Sequence, residues 1–339
     1  MSTAAETSAM ATSPEAAPIL EVKDLKTYFF LRRGVVKAVD GVSFSLYPGE
    51  VLGLVGESGC GKSLTALSLM RLLPKGAARI VEGEIKLDGE NLVALKDSEM
   101  RNVRGTKIAM ILQDPQTSLN PVFTIGNQLR EALAKRIGEA GKSMLTRCVE
   151  TLRRVRLSAP EQRVAQYPHQ LSGGMKQRVV GAISISCAPQ VMIADEPTTA
   201  LDVTIQLQYL NLLRDLQRDA GMAMLFITHD FGVVARMCDR VAVMYAGRIV
   251  ESGPVRELFD NPAHPYTQAL ISSVPKMANT VDRLTTIEGQ PPHLGNLPTG
   301  CRFEARCPFA EQKCRDAYPE TFTVGDRHEA ACWRLEEGR

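Results

Sequence analysis

Short apolar runs alternate with turn residues between residues 19 and 46, and a continuous apolar run follows at 51–55. This pattern predicts a β-rich N-terminal part that leads into one buried strand. A glycine-rich stretch at 56–63 comes next, and leucine and methionine then recur at helical spacing until Pro74. The predicted order is therefore strand, glycine loop and helix.

Helical spacing with little strand character marks a second block at about 115–172, which we interpret as a helical insertion. Strand patterns return at 191–194 and 222–228, and a helical pattern at 203–220 separates them. Buried strands that alternate with helices predict an α/β fold with a parallel sheet. Ligands of such sheets gather at the carboxyl ends of the strands, so we expect the functional residues there.

Prolines punctuate the last part of the chain, so we predict an irregular C-terminal extension at 262–339 after an α/β domain at 19–261. Residues 1–18, rich in Ala, Ser and Thr, lack the basic start and apolar middle of a secretory signal. We expect them to be a disordered tail in a cytoplasmic protein.

Charge and hydropathy narrow the function classes. The chain has 40 basic and 38 acidic residues and a formal net charge of +2, without a block of like charge, so nucleic acid is not an expected partner. Its apolar stretches are shorter than the roughly 18 residues that a membrane-spanning helix needs. The chain is therefore not expected to cross a bilayer by itself.

The glycine-rich stretch carries the clearest chemistry, because it fits the pattern G-x-x-x-x-G-K-[ST]. Its residues are Gly56, Glu57, Ser58, Gly59, Cys60, Gly61, Lys62 and Ser63. In this pattern, backbone N–H groups surround phosphate oxygens, the lysine reaches the β- and γ-phosphates, and the hydroxyl ligates Mg²⁺. With a strand before it and a helix after it, the loop predicts a nucleoside triphosphate site that uses Lys62 and Ser63.

The strand at 191–194 ends in two carboxylates, Asp195 and Glu196. At the carboxyl end of the sheet, beside the phosphate loop, Asp195 can hold Mg²⁺ through water and Glu196 can act as general base on the attacking water.

A third motif lies ahead of that strand. It comprises Ser172, a good helix N-cap, followed by Gly173, Gly174 and, further on, Gln177. This motif resembles the signature motif of ABC ATPases. The resemblance implies an ABC-type core, which is a RecA-like parallel sheet with a β-rich N-terminal subdomain and a helical subdomain. It also implies that the signature of one subunit contacts the ATP bound to another.

Further positions match this family in order. Gln113 corresponds to the Q-loop residue at the γ-phosphate and Mg²⁺, residues 200–202 to the D-loop, and His229 to the switch histidine. Tyr28 lies where family members stack an aromatic ring on adenine, although a structural tyrosine is nearly as good an interpretation.

The residues at 113–121, 167–170 and 261–267 are typical of bacterial oligopeptide, dipeptide and nickel importer ATPases. The resemblance implies a second homologous ATPase subunit in a heterodimer, two membrane permease subunits and an external solute-binding protein. It places the chain at the cytoplasmic face of the inner membrane. Peptide is the expected solute, with nickel or another small solute as the alternative. A soluble ABC ATPase remains as an alternative from another class, whereas a phosphate-loop kinase for a small metabolite would not explain the motif from Ser172 to Gln177.

Eight cysteines divide into two groups. Cys60, Cys148, Cys187 and Cys238 are scattered, and we interpret them as small core or loop residues of a reduced protein. Cys301, Cys307, Cys314 and Cys332 are crowded near the end with the spacing C-x5-C-x6-C-x17-C. That spacing by itself favours neither a zinc site nor an iron–sulfur cluster over the other. The family resemblance of this tail favours a [4Fe-4S] cluster. A zinc site with three cysteines and His328 is the alternative, and four free thiols without a metal are the simplest interpretation.

Overall fold

The computed structural model describes residues 17–137, 141–199, 201–273 and 287–336. Nearly all of the tail expected at 1–18 lies outside these ranges.

Strands of the described residues form two sheets. The strands are β1 (Leu20–Leu31), β2 (Gly34–Leu46), β3 (Val51–Val55), β4 (Ala78–Leu87), β5 (Glu90–Asn91), β6 (Ile108–Ile111), β7 (Val191–Asp195), β8 (Ala223–Thr228), β9 (Arg240–Tyr245), β10 (Arg248–Pro254), β11 (Phe322–Gly325) and β12 (His328–Ala330).

Helices cover the larger sheet and fill the connections. They are α1 (Lys62–Leu69), α2 (Asp97–Val103), α3 (Pro115–Ser118), α4 (Ile125–Ile137), α5 (Gly141–Arg154), α6 (Pro160–Arg163), α7 (Gly173–Ile185), α8 (Val203–Ala220), α9 (Phe231–Met237), α10 (Val255–Asp260), α11 (Pro265–Ser272) and α12 (Gln312–Asp316).

The larger sheet has the order β11-β12-β10-β9-β3-β8-β7-β6, and the strands from β9 to β6 are parallel. Every residue of β3, β7 and β8 is buried, as expected for strands with apolar packing on both faces. The smaller sheet is antiparallel, in the order β2-β1-β4-β5. The predicted α/β fold with a parallel sheet and a β-rich N-terminal part is therefore confirmed.

The helical insertion lies between β6 and β7, where α3 to α6 succeed one another. Its apolar side chains, such as Leu129, Cys148 and Leu152, join one core cluster with residues of α7, α8 and the sheet. The helix α8 ends at Gly221, whose φ of 59° lies in the left-handed region that glycine adopts at low cost.

The C-terminal extension differs from the irregular segment that the prolines predict. Its strands β11 and β12 continue the larger sheet, because β12 pairs with β10 in antiparallel register. Its Phe303 packs against Tyr245 of β9 and Tyr266 of α11, with ring centroids 5.3 Å away in each case. The extension is thus part of the same packed body as the strands beside the phosphate loop.

A buried histidine–carboxylate contact joins the extension to β10. His328 Nε2 lies 2.8 Å from Glu251 Oε1, and both side chains are fully buried. The same carboxylate accepts hydrogen bonds from the backbone N–H groups of Ala263 and His264. Within the described ranges, no helix is long and apolar enough to span a membrane.

Candidate functional site

Four parallel strands end at one edge of the larger sheet, and a predicted functional residue follows or ends each of them. The phosphate loop follows β3, Asp195 ends β7, His229 follows β8, and Gln113 lies two residues beyond β6. Since β6, β7, β8 and β3 are neighbours in that order, these side chains meet although they are far apart in the sequence.

The phosphate loop has a backbone that only glycine can adopt at two positions. Gly56 has φ 152° and Gly61 has φ 111°, both outside the range of ordinary side chains. A Cβ atom at Gly56 would lie 2.1 Å from the carbonyl oxygen of Met244, and one at Gly61 would lie 2.3 Å from that of Ala38. Close packing against β9 and β2 therefore fixes the loop's curvature.

Lys62 begins α1 and is buried, yet its ammonium group turns back into the loop. Its Nζ donates to the carbonyl oxygens of Gly56 at 2.7 Å and Glu57 at 3.1 Å. Ser58 and Gly59 are exposed at the tip, whereas Cys60 is buried and its thiol pKa is raised by burial. The loop thus presents backbone groups, a lysine and a helix N-terminus to one space, which suits an anionic ligand.

Ser63 and Asp195 lie in contact beside that space. The Ser63 hydroxyl donates to Asp195 Oδ1 at 3.1 Å. Burial raises the pKa of Asp195, and the neighbouring Glu196 carboxylate adds to this rise. A hydroxyl and a carboxylate at this distance are the hard oxygen donors that Mg²⁺ prefers.

Glu196 is the centre of a second set of contacts. Its Oε2 accepts from the Gln113 amide at 3.2 Å and from the Thr199 hydroxyl at 2.9 Å, and its Oε1 lies 3.2 Å from His229 Nδ1. Its backbone has a φ of 44°, an uncommon conformation for a residue with a side chain. The structure therefore brings Gln113, Glu196 and His229 together.

The motif at Ser172 lies at the start of α7. Ser172 caps the helix by accepting from the Met175 N–H at 3.4 Å, and Gly173 is exposed beside it. Gln177 is buried, and its amide donates to the carbonyl oxygen of Pro197 at 2.6 Å. Gly174 faces α8, where an added Cβ would lie 2.8 Å from Ile205. The exposed end of this motif is thus available to a partner, while Gln177 fixes the motif to the loop after Glu196.

The expected D-loop is described only in part. Ala200 lies outside the described residues, while Asp202 caps α8 by accepting from the Ile205 N–H at 3.0 Å.

Tyr28 lies on β1, opposite Lys37 of β2, and is half-buried. Its hydroxyl donates to Asp40 Oδ1, and burial raises the pKa of Tyr28 to about 12. Asp40 also forms an ion pair with Arg302. Although burial opposes it, the hydrogen bonds from Tyr28 and Arg302 lower the pKa of Asp40. Tyr28 is therefore held by its hydroxyl.

The four C-terminal cysteines line one small cavity together with His264 and Trp333. Burial raises the pKa of the Cys301 thiol to about 11. However, across the described parts of the chain, no group of three or more His, Cys, Asp or Glu side chains is arranged to hold a metal ion. The structure thus gathers Cys301, Cys307, Cys314 and Cys332 without forming a ligand set, and it gives no support to an iron–sulfur or zinc centre there.

His328 is not among the residues that line this cavity, because its ring is engaged with Glu251. The alternative zinc site with His328 is therefore not formed in the structure.

Sequence reasoning missed the residues of the extension that contact the phosphate loop. Arg306 forms two hydrogen bonds with the Glu57 carboxylate, and the Tyr266 hydroxyl accepts from the Glu57 N–H at 2.9 Å. Sequence separations above 200 residues left no spacing pattern that could have revealed them.

Comparison with known proteins agrees with this geometry. The ABC transporter family model matches residues 39–199, and the model of the oligopeptide/dipeptide transporter C-terminal region matches residues 250–314. A probable peptide ABC transporter ATP-binding protein of Sinorhizobium fredii, y4tR, is 50% identical over 329 residues, which cover 97% of this chain and 98% of that protein. The dipeptide transport ATP-binding protein DppD of Bacillus subtilis is 47% identical over 319 residues, with 94% and 95% covered.

Solved structures give the same assignment. A bacterial ABC transporter cassette, solved as a dimer, superposes with a TM-score of 0.62 at 27% identity and covers 70% of this chain and 99% of its own. A dimeric post-hydrolysis state of an ATP-binding cassette bound to ADP and phosphate has a TM-score of 0.63 at 26% identity, with 70% and 99% covered. The chain belongs to the ATP-binding-cassette transporter family, in the group of ATP-binding subunits that carry the oligopeptide/dipeptide transporter C-terminal region.

Proposed function

We propose that this ABC ATPase binds ATP at residues 56–63, hydrolyses it, and thereby energises the import of di- or oligopeptides. The observation that carries the proposal is the meeting of two sets of side chains at one sheet edge. Ser63 and Asp195 form the first, and Gln113, Glu196 and His229 form the second.

The phosphates are held by the loop. Lys62 Nζ already lies inside the loop, within hydrogen-bond distance of two of its carbonyl oxygens, so it can move to a β- or γ-phosphate oxygen with a small rotation. The α1 N-terminus adds backbone N–H groups that have no capping side chain.

Ser63, Asp195 and Gln113 are the residues that would hold Mg²⁺. The burial of Asp195 and its contact with the Ser63 hydroxyl fit a hard cation, because the raised pKa of the carboxyl reflects a negative charge that burial leaves poorly solvated. When bound, Mg²⁺ neutralises phosphate charge that builds up during hydrolysis.

Glu196 is the proposed general base. Its Oε1 and Oε2 lie between Gln113 and His229, so a water near Oε1 can lose its proton to the carboxylate as its oxygen attacks the γ-phosphorus and ADP leaves. His229, with about half of its side chain exposed, can turn to donate to the γ-phosphate. Gln113 positions the carboxylate from the other side.

Tyr28 is proposed to stack on the adenine ring. In its favour, the hydrogen bond to Asp40 fixes the ring on β1, beside the strand whose Ala38 contacts the phosphate loop.

The second half of each ATP site is proposed to come from a partner ATPase. Ser172 and Gly173 are exposed at a helix N-terminus, which is suited to a phosphate of the partner's ATP, while Gly174 and Gln177 hold the motif in place. The partner is a second, homologous ATP-binding subunit. Mass spectrometry of the intact purified transporter tests this, and two copies of the present chain without a second ATPase would contradict the heterodimer.

Two membrane permease subunits and an external solute-binding protein complete the proposed transporter, with this chain at the cytoplasmic face of the inner membrane. Support comes from the similarity to proteins named for peptide and dipeptide transport and from the match over 250–314. The helical insertion between β6 and β7 follows directly on Gln113, so a change at the γ-phosphate can reach a surface that contacts a permease.

Transport by the reconstituted complex tests this proposal. Proteoliposomes that hold ATP and the complete transporter should accumulate a labelled dipeptide or oligopeptide, and Lys62→Ala should abolish both ATP hydrolysis and uptake. Lys107→Ala is a matched control, because Lys107 forms an exposed ion pair with Glu90 away from the loop. If the proteoliposomes take up Ni²⁺ and no peptide, the transported solute is nickel rather than peptide. If the chain hydrolyses ATP without membrane subunits and acts on another substrate, the proposed role in transport is wrong.

We also propose one metal centre, a [4Fe-4S] cluster in preference to zinc, held by Cys301, Cys307, Cys314 and Cys332. The proposal rests on the family resemblance of this tail, because the four cysteines line one cavity but do not form a ligand set in the structure. Four cysteine thiolates can ligate either a cluster or zinc. The centre would cross-link the extension. Anaerobic purification and metal analysis test the proposal. About four irons per chain are expected, one zinc would exclude the cluster, and metal-free protein would exclude both.

A further inference from the structure

The phosphate loop carries a carboxylate, Glu57, that is held from outside the ABC core. Arg306 of the C-terminal extension donates from Nη1 to Glu57 Oε2 at 2.7 Å and from Nη2 to Glu57 Oε1 at 3.0 Å. This is the two-point geometry in which a guanidinium binds a carboxylate most strongly. Only 3% of the Arg306 side chain is exposed, against 27% for Glu57.

Arg306 is itself fixed in position by further contacts. Its Nε donates to the carbonyl oxygen of Glu288 at 3.0 Å, and Nη2 also donates to that of Ile287 at 3.3 Å. Its Nη1 lies 3.3 Å from the Tyr245 hydroxyl. A side chain with so many partners has lost its conformational freedom on folding, so it holds Glu57 without a further entropic cost.

The loop backbone is held at the same residue. The Glu57 N–H donates to the Tyr266 hydroxyl at 2.9 Å, and Tyr266 is fully buried on α11. The Tyr245 ring packs against that of Tyr266 with 4.5 Å between centroids. Both the backbone and the side chain of Glu57 are thus held by residues at or near the extension.

Because Glu57 is negatively charged, its contact with Arg306 affects how the loop binds an anionic ligand. Lys62 Nζ lies 3.1 Å from the Glu57 carbonyl oxygen, so the residue borders the space that the lysine serves. A free carboxylate there would repel phosphate groups, and solvent would screen it only in part. Arg306 supplies the compensating positive charge.

We propose that Arg306 is a positioning residue for ATP binding, which neutralises Glu57 and holds the phosphate loop open for the triphosphate. The C-terminal extension then sets the ATP affinity of the ABC core to which it is joined. This proposal rests on the proposed function, in that ATP occupies residues 56–63.

The test is the dissociation constant for ATP of the full-length chain, measured by calorimetry, with thermal unfolding as the check of folding. Arg306→Met should weaken ATP binding about fivefold or more. The double variant with Glu57→Gln, which removes the uncompensated carboxylate, should recover most of the loss. Arg315→Met is the matched control, because its ion pair with Glu304 lies in the same extension on an exposed surface, and it should bind as the wild type does.

Two further measurements separate this role from a merely structural one. The difference between Arg306→Met and the wild type should shrink as salt rises from about 0.1 to 1 M, because repulsion by an unpaired charge is screened. In the assembled transporter, KM for ATP should rise while kcat stays near the wild-type value. If Arg306→Met does not fold, Arg306→Gln, which retains donor groups, takes its place.

Lys62→Ala distinguishes the two proposals. If Lys62→Ala still binds ATP normally, the site assignment itself is wrong. If Lys62→Ala loses binding but Arg306→Met binds within about twofold of the wild type, Arg306 has no positioning role. A folded double variant as weak as Arg306→Met would also overturn the proposal, because the charge of Glu57 would then not be the cause.

Discussion

Replacing Glu196 with glutamine removes a base while keeping its contacts. In the structure, Oε2 accepts from Gln113 and Thr199, and Oε1 lies 3.2 Å from His229 Nδ1. The amide oxygen of glutamine can take the place of Oε2, and its NH₂ group can donate to Nδ1 of a neutral His229. The side chain can therefore occupy the same position with its contacts satisfied.

The expected magnitudes follow from this geometry. Since no contact of Glu196 must be lost, folding stability and ATP affinity should change by less than about 1 kcal/mol. Losing a positioned base costs roughly 10² to 10⁴ in rate, which corresponds to about 2.7 to 5.4 kcal/mol in the activation free energy. The variant should thus bind ATP as the wild type does and hydrolyse it very slowly.

Single-turnover hydrolysis in the assembled transporter measures the chemical step directly, and equilibrium binding of ATP checks the affinity. Thr199→Val is a control, because it removes one hydrogen bond to Oε2 and leaves the carboxylate. Its effect should be far smaller than that of Glu196→Gln. A Glu196→Gln transporter that retains near-normal single-turnover rates would refute the assignment of the base.

Substitutions at four other positions test separate parts of the site. Asp195→Asn should abolish hydrolysis yet raise the midpoint of thermal unfolding of the ligand-free chain at pH 7, because burial raises the pKa of Asp195 and so disfavours its charged form. Because the folded-state pKa of Asp195 lies above the ordinary 3.8, the stability that its protonated form contributes is present below pH 3.8 and is lost as pH rises through the raised pKa. The gain in the Asp195→Asn variant should therefore vanish at low pH in thermal scans. Gly61→Ala should remove ATP binding in calorimetry, because its Cβ would lie 2.3 Å from a carbonyl oxygen. Gly59→Ala should bind ATP more weakly but measurably, because its Cβ would meet open space and only its backbone φ of 80° is unfavourable for alanine. Tyr28→Ala should raise KM for ATP about 2- to 12-fold, whereas Tyr28→Phe keeps the ring but loses the hydrogen bond to Asp40 and should raise KM by less. Equal KM values for the two variants would contradict stacking.

The sequence predicted the sheet edge that carries the site because its signals are local. The runs at 51–55 and 191–194 are apolar over their whole length, as strands buried on both faces must be, and they adjoin the glycine loop and the paired carboxylates. Gly221 marked the end of α8 through its left-handed conformation. The rules of parallel sheets place the carboxyl ends of these strands at one edge, whereas the strand order β3-β8-β7-β6 was not predicted and is given by the structure.

The extension could not be predicted in the same way, because its structure depends on partners elsewhere in the chain. The strands β11 and β12 are four and three residues long, too short for a periodic pattern, and they exist because β12 pairs with β10 and β11 pairs with β12. The buried pair of His328 with Glu251 links residues 77 apart. Likewise, the contact of Arg306 with Glu57 spans 249 residues and leaves no trace in spacing.

The pairing of β12 with β10 bears on how the chain can be divided for experiments. If the chain were cut after α11, the unpaired backbone of β10 would become an open sheet edge, and Glu251 would lose the histidine that contacts it. Open edges recruit strands from other molecules, and removing one member of a buried histidine–carboxylate pair is destabilising. A truncated ABC core should therefore aggregate on expression, and insertions, fusions or tags belong beyond residue 336 rather than between the core and its extension.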